Sequence, residues 1–324
     1  MSGRHCPTPG RQVFSTPRTT KGKFQLPPPP EYEQLRREAI SHHSSFNMSQ
    51  QPQPPSAPPR VHQTNDNSAG LKIAILLNSY RSPFIADIRD SYTRSIAAVS
   101  PDAVLTFFYP AEIADHFPDP DLFDLIVIGG GNADPRKKHA WILRVHRFIL
   151  DVVTNFPTKK LCGICWGHQT ISMLFGGEVV DLGVPELGVT EAKLTPLGQR
   201  FFTVPFRMGI KNEGTVRLQQ HHRRAVGTPP RGFYELMAGN QAFLSHNGAI
   251  LTFQGHPEKD ARAARVRIRD AARWFGTDMG DARAVAELVE RMEMQHDGLE
   301  VWRRVLMWAA GEGDGDGAMR MMRI

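Results

Sequence analysis

The chain has 324 residues, of which 40% are hydrophobic and 22% charged, a composition typical of a globular protein with a sizeable core. Residues 1–70 carry four of the six net positive charges, so a basic nucleic-acid-binding face on the rest of the chain is not expected. No apolar run reaches the roughly 18 residues of a membrane span. Three cysteines are too few for a disulfide framework, which favours a reducing compartment, and we expect a cytoplasmic protein.

Residues 1–70 differ from the rest of the chain in composition. They are rich in Pro, Gln, Ser and Thr and contain 12 of the 25 prolines. Such a segment buries too little apolar surface to offset the entropy lost on ordering, so the sequence predicts a disordered N-terminal tail.

Beyond residue 70, short apolar runs alternate with amphipathic segments. Parallel strands buried on both faces read as such runs, and helices show apolar residues at three- and four-residue spacing. We therefore predict an α/β fold, a mostly parallel open sheet with helices on both faces, whose functional site lies beyond the carboxyl ends of the strands. The predicted strands are 72–78, 104–109, 125–131 and 160–165, and the predicted helices are 85–96, 139–156 and 166–175.

The later part of the chain has a different pattern. Short apolar runs separated by Gly, Pro and Asn between about residues 178 and 255 predict antiparallel strands and loops attached to the sheet. The periodicity of residues 281–310 predicts one amphipathic helix, and the glycine-rich end at 311–324 predicts a flexible tail.

The segment Gly163-Ile164-Cys165-Trp166-Gly167 lies between a predicted strand and a predicted helix. This G-x-C-x-G pattern is typical of a nucleophile elbow that holds Cys165 at a helix N-terminus, where the dipole favours a thiolate. An oxyanion formed there would meet the backbone N–H of Trp166 and a second donor from the glycines at the end of strand 125–128, Gly130 or Gly131. A buried structural cysteine is the alternative.

A nucleophile needs a base, and Gly255-His256-Pro257-Glu258 follows an apolar run. Residues two apart lie on the same side of an extended segment, so the Glu258 carboxylate can hold the far nitrogen of the His256 imidazole. The sequence therefore favours a Cys165-His256-Glu258 triad.

Cys162 and Cys165 also form a C-x-x-C pattern, which elsewhere indicates redox chemistry or half a zinc site. The chain has no second C-x-x-C, so no metal site is expected, and Cys162 is better explained as a small core residue. The alternative of redox function stays open at this point.

CGICWGHQ at 162–169 and QGHPE at 254–258 resemble motifs of the class I glutamine amidotransferase family. The resemblance covers residues 71–275 and is strongest to free-standing domains like those of GMP synthase and the γ-glutamyl peptidases. It implies a flavodoxin-like fold. Residues 276–310 lie beyond the resemblance, and we expect them to form a C-terminal helical extension. The resemblance also implies substrate contacts by Gln169 and by His222, although the segment Gln219 to Arg224 departs from the family pattern at its ends.

The resemblance implies hydrolysis of a γ-glutamyl amide through a thioester on Cys165, without a cofactor. The substrate would be glutamine or another γ-glutamyl compound, and an amidotransferase would pass ammonia to a separate synthase subunit. A γ-glutamyl peptidase acting on glutathione-like conjugates, and a non-catalytic binding protein, are the alternatives. Neither nucleic acid nor a membrane is an expected partner.

Overall fold

A computed structural model describes residues 70–203 and 214–311 of the chain, together with the single positions 34, 37 and 41. The predictions of a disordered tail at 1–70 and a flexible tail at 311–324 fall almost entirely outside these residues. The strands of the described part are β1 (Lys72–Leu76), β2 (Val104–Phe108), β3 (Leu125–Ile128), β4 (Lys160–Ile164), β5 (Glu178–Lys193), β6 (Thr215–Thr228), β7 (Phe233–Met237), β8 (Ala242–Ser245) and β9 (Ile250–Phe253). Its helices are α1 (Ile85–Ala97), α2 (Ala140–Asn155), α3 (Trp166–Leu174), α4 (Pro196–Thr203), α5 (Ala261–Arg265), α6 (Ile268–Phe275), α7 (Ala282–Glu293) and α8 (Gly298–Ala309), with one 3-10 turn at Pro120–Leu122.

Seven strands form one sheet in the order β2-β1-β3-β4-β9-β8-β7. The pairs from β2 to β9 are parallel, and only β8 and β7 at one edge run antiparallel to their neighbours. The predicted mostly parallel sheet is therefore confirmed. The carboxyl ends of β3, β4 and β9 lie side by side, so the glycines after β3, Cys165 after β4 and His256 after β9 leave the sheet at one edge.

Both faces of the sheet are covered by helices, as predicted. Successive side chains of a strand point to opposite faces, and in β1 Ile73 and Ile75 belong to the apolar cluster that contains α1 and α8. Ala74 and Leu76 belong to a second cluster, which contains α2 and α3. All four β1 side chains are fully buried. Among the described helices, none is long and apolar enough to cross a membrane.

The region between residues 178 and 255 is divided between two sheets. As predicted, its strands are mainly antiparallel, and β5 and β6 form a separate two-stranded sheet. The strands β7, β8 and β9, however, extend the main sheet, and β9 pairs with β4 in parallel. The burial of every residue of β8 and β9 explains this placement, because such strands need cover on both faces.

The prediction of a single helix at 281–310 is wrong, because the chain breaks between α7 and α8. Met294 is extended, with φ −54° and ψ 147°. Asp297 then pairs with Arg217 of β6: its carboxylate accepts from the Arg217 N–H at 2.7 Å, and its own N–H donates to the Arg217 carbonyl at 2.8 Å. This pairing with a distant strand ends the helix, and α8 then packs into the main core through Trp302 and Val305.

Candidate active site

Cys165 occupies a sharp turn between β4 and α3. Its φ of 50° and ψ of −97° lie in a region that non-glycine residues rarely adopt, which is typical of a strained functional residue. The turn is tight: a Cβ at Gly163 would lie 2.8 Å from the Ile171 side chain, and one at Gly167 would overlap the Ile128 carbonyl oxygen. The two glycines of the pattern therefore allow β4, α3 and β3 to approach closely around the cysteine.

The tightness of this turn leads to a prediction about stability. Gly167→Ala should lower the free energy of unfolding by about 1–3 kcal/mol or more, because its methyl group would displace backbone of β3. Gly183→Ala, in β5, is the matched control, since no atom lies within 4 Å of the added Cβ. Thermal unfolding of both variants measures the difference, and equal midpoints would contradict this account of the turn.

His256 and Glu258 follow β9 in an extended segment. The His256 N–H donates to the Gln219 carbonyl at 2.8 Å, which anchors the segment to β6. In its side chain, the imidazole Nδ1 of His256 lies 2.7 Å from Glu258 Oε1, so the carboxylate fixes one ring nitrogen. The Ser91 hydroxyl of α1 donates to the Glu258 carbonyl. Glu258 is only 5% exposed, and both groups are held at the edge of the sheet beside Cys165.

The surroundings of His256 favour its protonated form. Burial lowers the pKa of the imidazole, but the Glu258 carboxylate and the Cys165 sulfur outweigh burial and raise that pKa from 6.5 to about 9. Nε2, the ring nitrogen that Glu258 does not hold, is buried close to Cys165. The arrangement can therefore stabilise an imidazolium beside the cysteine sulfur.

The glycines after β3 lie against both groups. A Cβ on Gly130 would lie 3.1 Å from His256 Cε1 and 4.0 Å from Cys165 Cβ. A Cβ on Gly131 would lie 2.9 Å from the indole of Trp166. Because neither glycine has a side chain, the backbone of Gly130 lies close to His256 and Cys165, and that of Gly131 lies close to Trp166.

Gln169 and His222 line the same cavity as Cys165, which has a volume of about 300 Å³. Both side chains are nearly fully buried. Gln169 Nε2 donates to the Arg224 carbonyl at 2.6 Å, and His222 Nε2 lies 3.0 Å from Gln220 Oε1 and 3.2 Å from Glu186 Oε2. The fold therefore brings all the predicted site residues to one place, with the amide of Gln169 and one nitrogen of His222 already engaged within the protein.

Four charged residues of the cavity were missed by sequence reasoning: Asp87, Lys259, Arg267 and Asp270. Lys259, Arg267 and Asp270 line the side formed by α1, α6 and the segment after β9. The position of Lys259 directly after the His-x-Glu pattern was the one local signal. Nothing in the periodicity of the region indicated that α6 would lie beside the nucleophile.

Cys162 lies in β4, fully buried in the main core. Burial and the nearby Glu258 charge raise the pKa of its thiol, which keeps it protonated. Cys162→Ala should therefore lower the free energy of unfolding by about 1 kcal/mol through lost packing.

Iodoacetamide should modify Cys165, which lines the cavity, and leave Cys162 unmodified in the folded protein. Peptide mass mapping checks this, and preferential labelling of Cys162 would favour the redox alternative.

With the site described, comparison with known proteins identifies its class. Residues 84–271 match the family model of the class I glutamine amidotransferases. A glutamine amidotransferase-like protein of Penicillium rubens, chyE, is 30% identical over 246 residues, which cover 75% of this chain and 98% of that protein. The chain therefore belongs to the class I glutamine amidotransferase family.

Two further similarities are more distant. The glutamine-hydrolyzing GMP synthase subunit of Sulfolobus acidocaldarius is 31% identical over 140 residues, covering 42% of this chain and 68% of that protein. A glutamine amidotransferase structure from Thermotoga maritima superposes with a TM-score of 0.55 at 17% identity, covering 73% of this chain and 96% of that one. The latter confirms the fold expected from the resemblance.

Proposed function

We propose that the chain hydrolyses a γ-glutamyl amide bond, with Cys165 as nucleophile, His256 as general acid and base, and Glu258 as the residue that orients His256. The observation that carries the proposal is the 2.7 Å contact between His256 and Glu258 beside a cysteine in a strained strand-to-helix turn. A nucleophile, a base and a group that orients the base are the components of a hydrolytic triad.

The proposed reaction has two steps. The Cys165 sulfur attacks the γ-carbonyl carbon, and the N–H groups of Trp166 and of Gly130 or Gly131 stabilise the resulting oxyanion. His256 gives a proton to the leaving nitrogen, the C–N bond breaks, and a γ-glutamyl thioester remains. His256 then takes a proton from water, whose oxygen displaces the sulfur to release glutamate. This scheme uses no metal or organic cofactor.

Gln169 and His222 are proposed to contact the glutamyl part of the substrate. They lie within the same cavity as Cys165 and are contributed by α3 and β6. Similarity to the glutamine-hydrolyzing GMP synthase subunit supports an amidotransferase role, in which a separate synthase subunit would receive the ammonia. Without such a partner, the same triad would act as a free-standing hydrolase in the cytoplasm.

The test uses the purified full chain with glutamine and with a γ-glutamyl dipeptide. Release of ammonia or of the free amino acid, absent in Cys165→Ala, would support the proposal. Trapping a γ-glutamyl adduct at Cys165 by mass spectrometry after acid quench would support the thioester. A folded wild-type protein that turns over neither compound and forms no adduct would instead favour a non-catalytic binding role.

A further inference from the structure

Lys259 is a buried lysine in the wall of the cavity that contains Cys165. Its side chain is only 8% exposed. No described residue forms a hydrogen bond or an ion pair with its ammonium group. Burying an unpaired charge is costly, so a buried ammonium without a partner is suited to binding an anion that enters the cavity.

The neighbouring charges are already paired with each other. Arg267 Nε donates to Asp270 Oδ2 at 2.9 Å, and its guanidinium lies over the Phe84 ring at 5.0 Å. Glu258, directly before Lys259, holds His256. Glu258 and Asp270 therefore have partners of their own, and neither forms a hydrogen bond or an ion pair with the Lys259 ammonium.

The pKa of Lys259 agrees with this arrangement. Burial, and after it the Arg267 charge, lower this pKa from 10.5 to about 7, against the opposing effect of Glu258, Cys165 and Asp270. An anion bound beside the Lys259 ammonium would supply the negative charge that the protein does not place there. It would therefore favour the protonated form of Lys259.

The position of Lys259 indicates which part of a substrate it meets. Its N–H donates to the His256 carbonyl at 3.3 Å, so the two residues belong to one turn. In the proposed reaction His256 protonates the leaving nitrogen, so the leaving group lies beside this turn. Gln169 and His222, proposed to meet the glutamyl part, come from different elements, α3 and β6.

We propose that Lys259 binds a carboxylate carried by the leaving amine, and hence that the substrate is a γ-glutamyl conjugate of an amino acid or short peptide. This inference rests on the proposed function. Free glutamine releases ammonia, so its leaving group carries no carboxylate. A γ-glutamyl amino acid places its carboxylate a few bonds beyond the leaving nitrogen, on the side of the cavity lined by Lys259 and Arg267.

The experiment compares γ-glutamylglycine with γ-glutamylglycinamide, which have the same shape but differ in the charge of the leaving group. Wild-type chain should prefer the carboxylate by roughly tenfold or more in kcat/KM, as expected for a hydrogen bond between charged groups. Lys259→Met should reduce this ratio of kcat/KM values to near unity, whatever its effect on the turnover of glutamine. Lys259→Arg should retain part of the preference, and Lys137→Met, at an exposed lysine, should retain all of it.

Two outcomes would overturn the inference. One is equal turnover of the two dipeptides by the wild-type chain. This comparison does not depend on whether the variants fold. The other is that Lys259→Met lowers kcat/KM equally for glutamine and for both dipeptides. This result would show that Lys259 contacts the glutamyl part of the substrate.

Binding to Cys165→Ala, measured by calorimetry, separates this inference from the proposed hydrolysis. A preference for γ-glutamylglycine there, without turnover by the wild-type chain, would reject hydrolysis and support the anion site. Equal affinities for the two dipeptides would reject the anion site whatever the activity.

Discussion

Cys165→Ala is expected to lower γ-glutamyl hydrolysis by roughly 10⁴–10⁶-fold, the scale of losing a nucleophile in a triad enzyme. The variant lacks the atom that would form the thioester, and no described cysteine can replace it, because Cys162 points into the core. Turnover of glutamine and of γ-glutamylglycine, followed as released glutamate, measures the effect.

The matched control for this variant is Cys162→Ala. It removes the same thiol three residues earlier in the chain and should keep turnover within a fewfold of the wild type, because the residue lies away from the cavity. Near-normal turnover by Cys165→Ala would show that Cys165 is not the nucleophile. Equal inactivity of two folded variants would point to redox chemistry between the two cysteines.

Glu258→Gln is expected to have the second-largest effect, a loss of kcat of roughly 10²–10⁴-fold with little change in substrate affinity. Glutamine keeps the shape of the side chain but removes the charge that lies 2.7 Å from His256. The pKa of His256, raised to about 9 in the wild type, should then fall.

Glu258→Gln should also change how kcat/KM depends on pH. The leaving nitrogen needs a proton from the imidazolium, which in the wild type persists up to about pH 9, so kcat/KM should decline above that pH. In Glu258→Gln the decline should begin at lower pH, because the carboxylate no longer stabilises the imidazolium. An unmoved basic limb together with a large rise in KM would show instead that Glu258 binds substrate.

The parts of the structure that depend on local sequence could be predicted. A strand such as β3 is a continuous apolar run, and Gly163, Cys165 and Gly167 fall within five residues at the end of another. The closeness of His256 to Cys165 was expected from the two motifs and not from strand pairing, because the run before His256 was predicted to be an antiparallel strand, whereas β9 is parallel to β4.

Features that depend on distant partners could not be predicted in this way. The periodic pattern of residues 281–310 continues through Asp297, whose backbone and carboxylate instead pair with Arg217, 80 residues earlier. Likewise, a lysine after a His-x-Glu pattern is expected to be solvated. Lys259 is instead buried, in a cavity that Asp270 of α6 also lines, and no local pattern specifies the position of α6.

The placement of α8 in the main core has a consequence for how the protein is made. About 220 residues separate β1 from α8, so at roughly 5–20 residues per second the ribosome needs about 10–40 s to synthesise the helix that completes the cluster around Ile73 and Ile75. During this interval the nascent chain exposes the apolar surface later covered by Trp302 and Val305. Its folding yield should therefore depend on chaperones that act before translation ends.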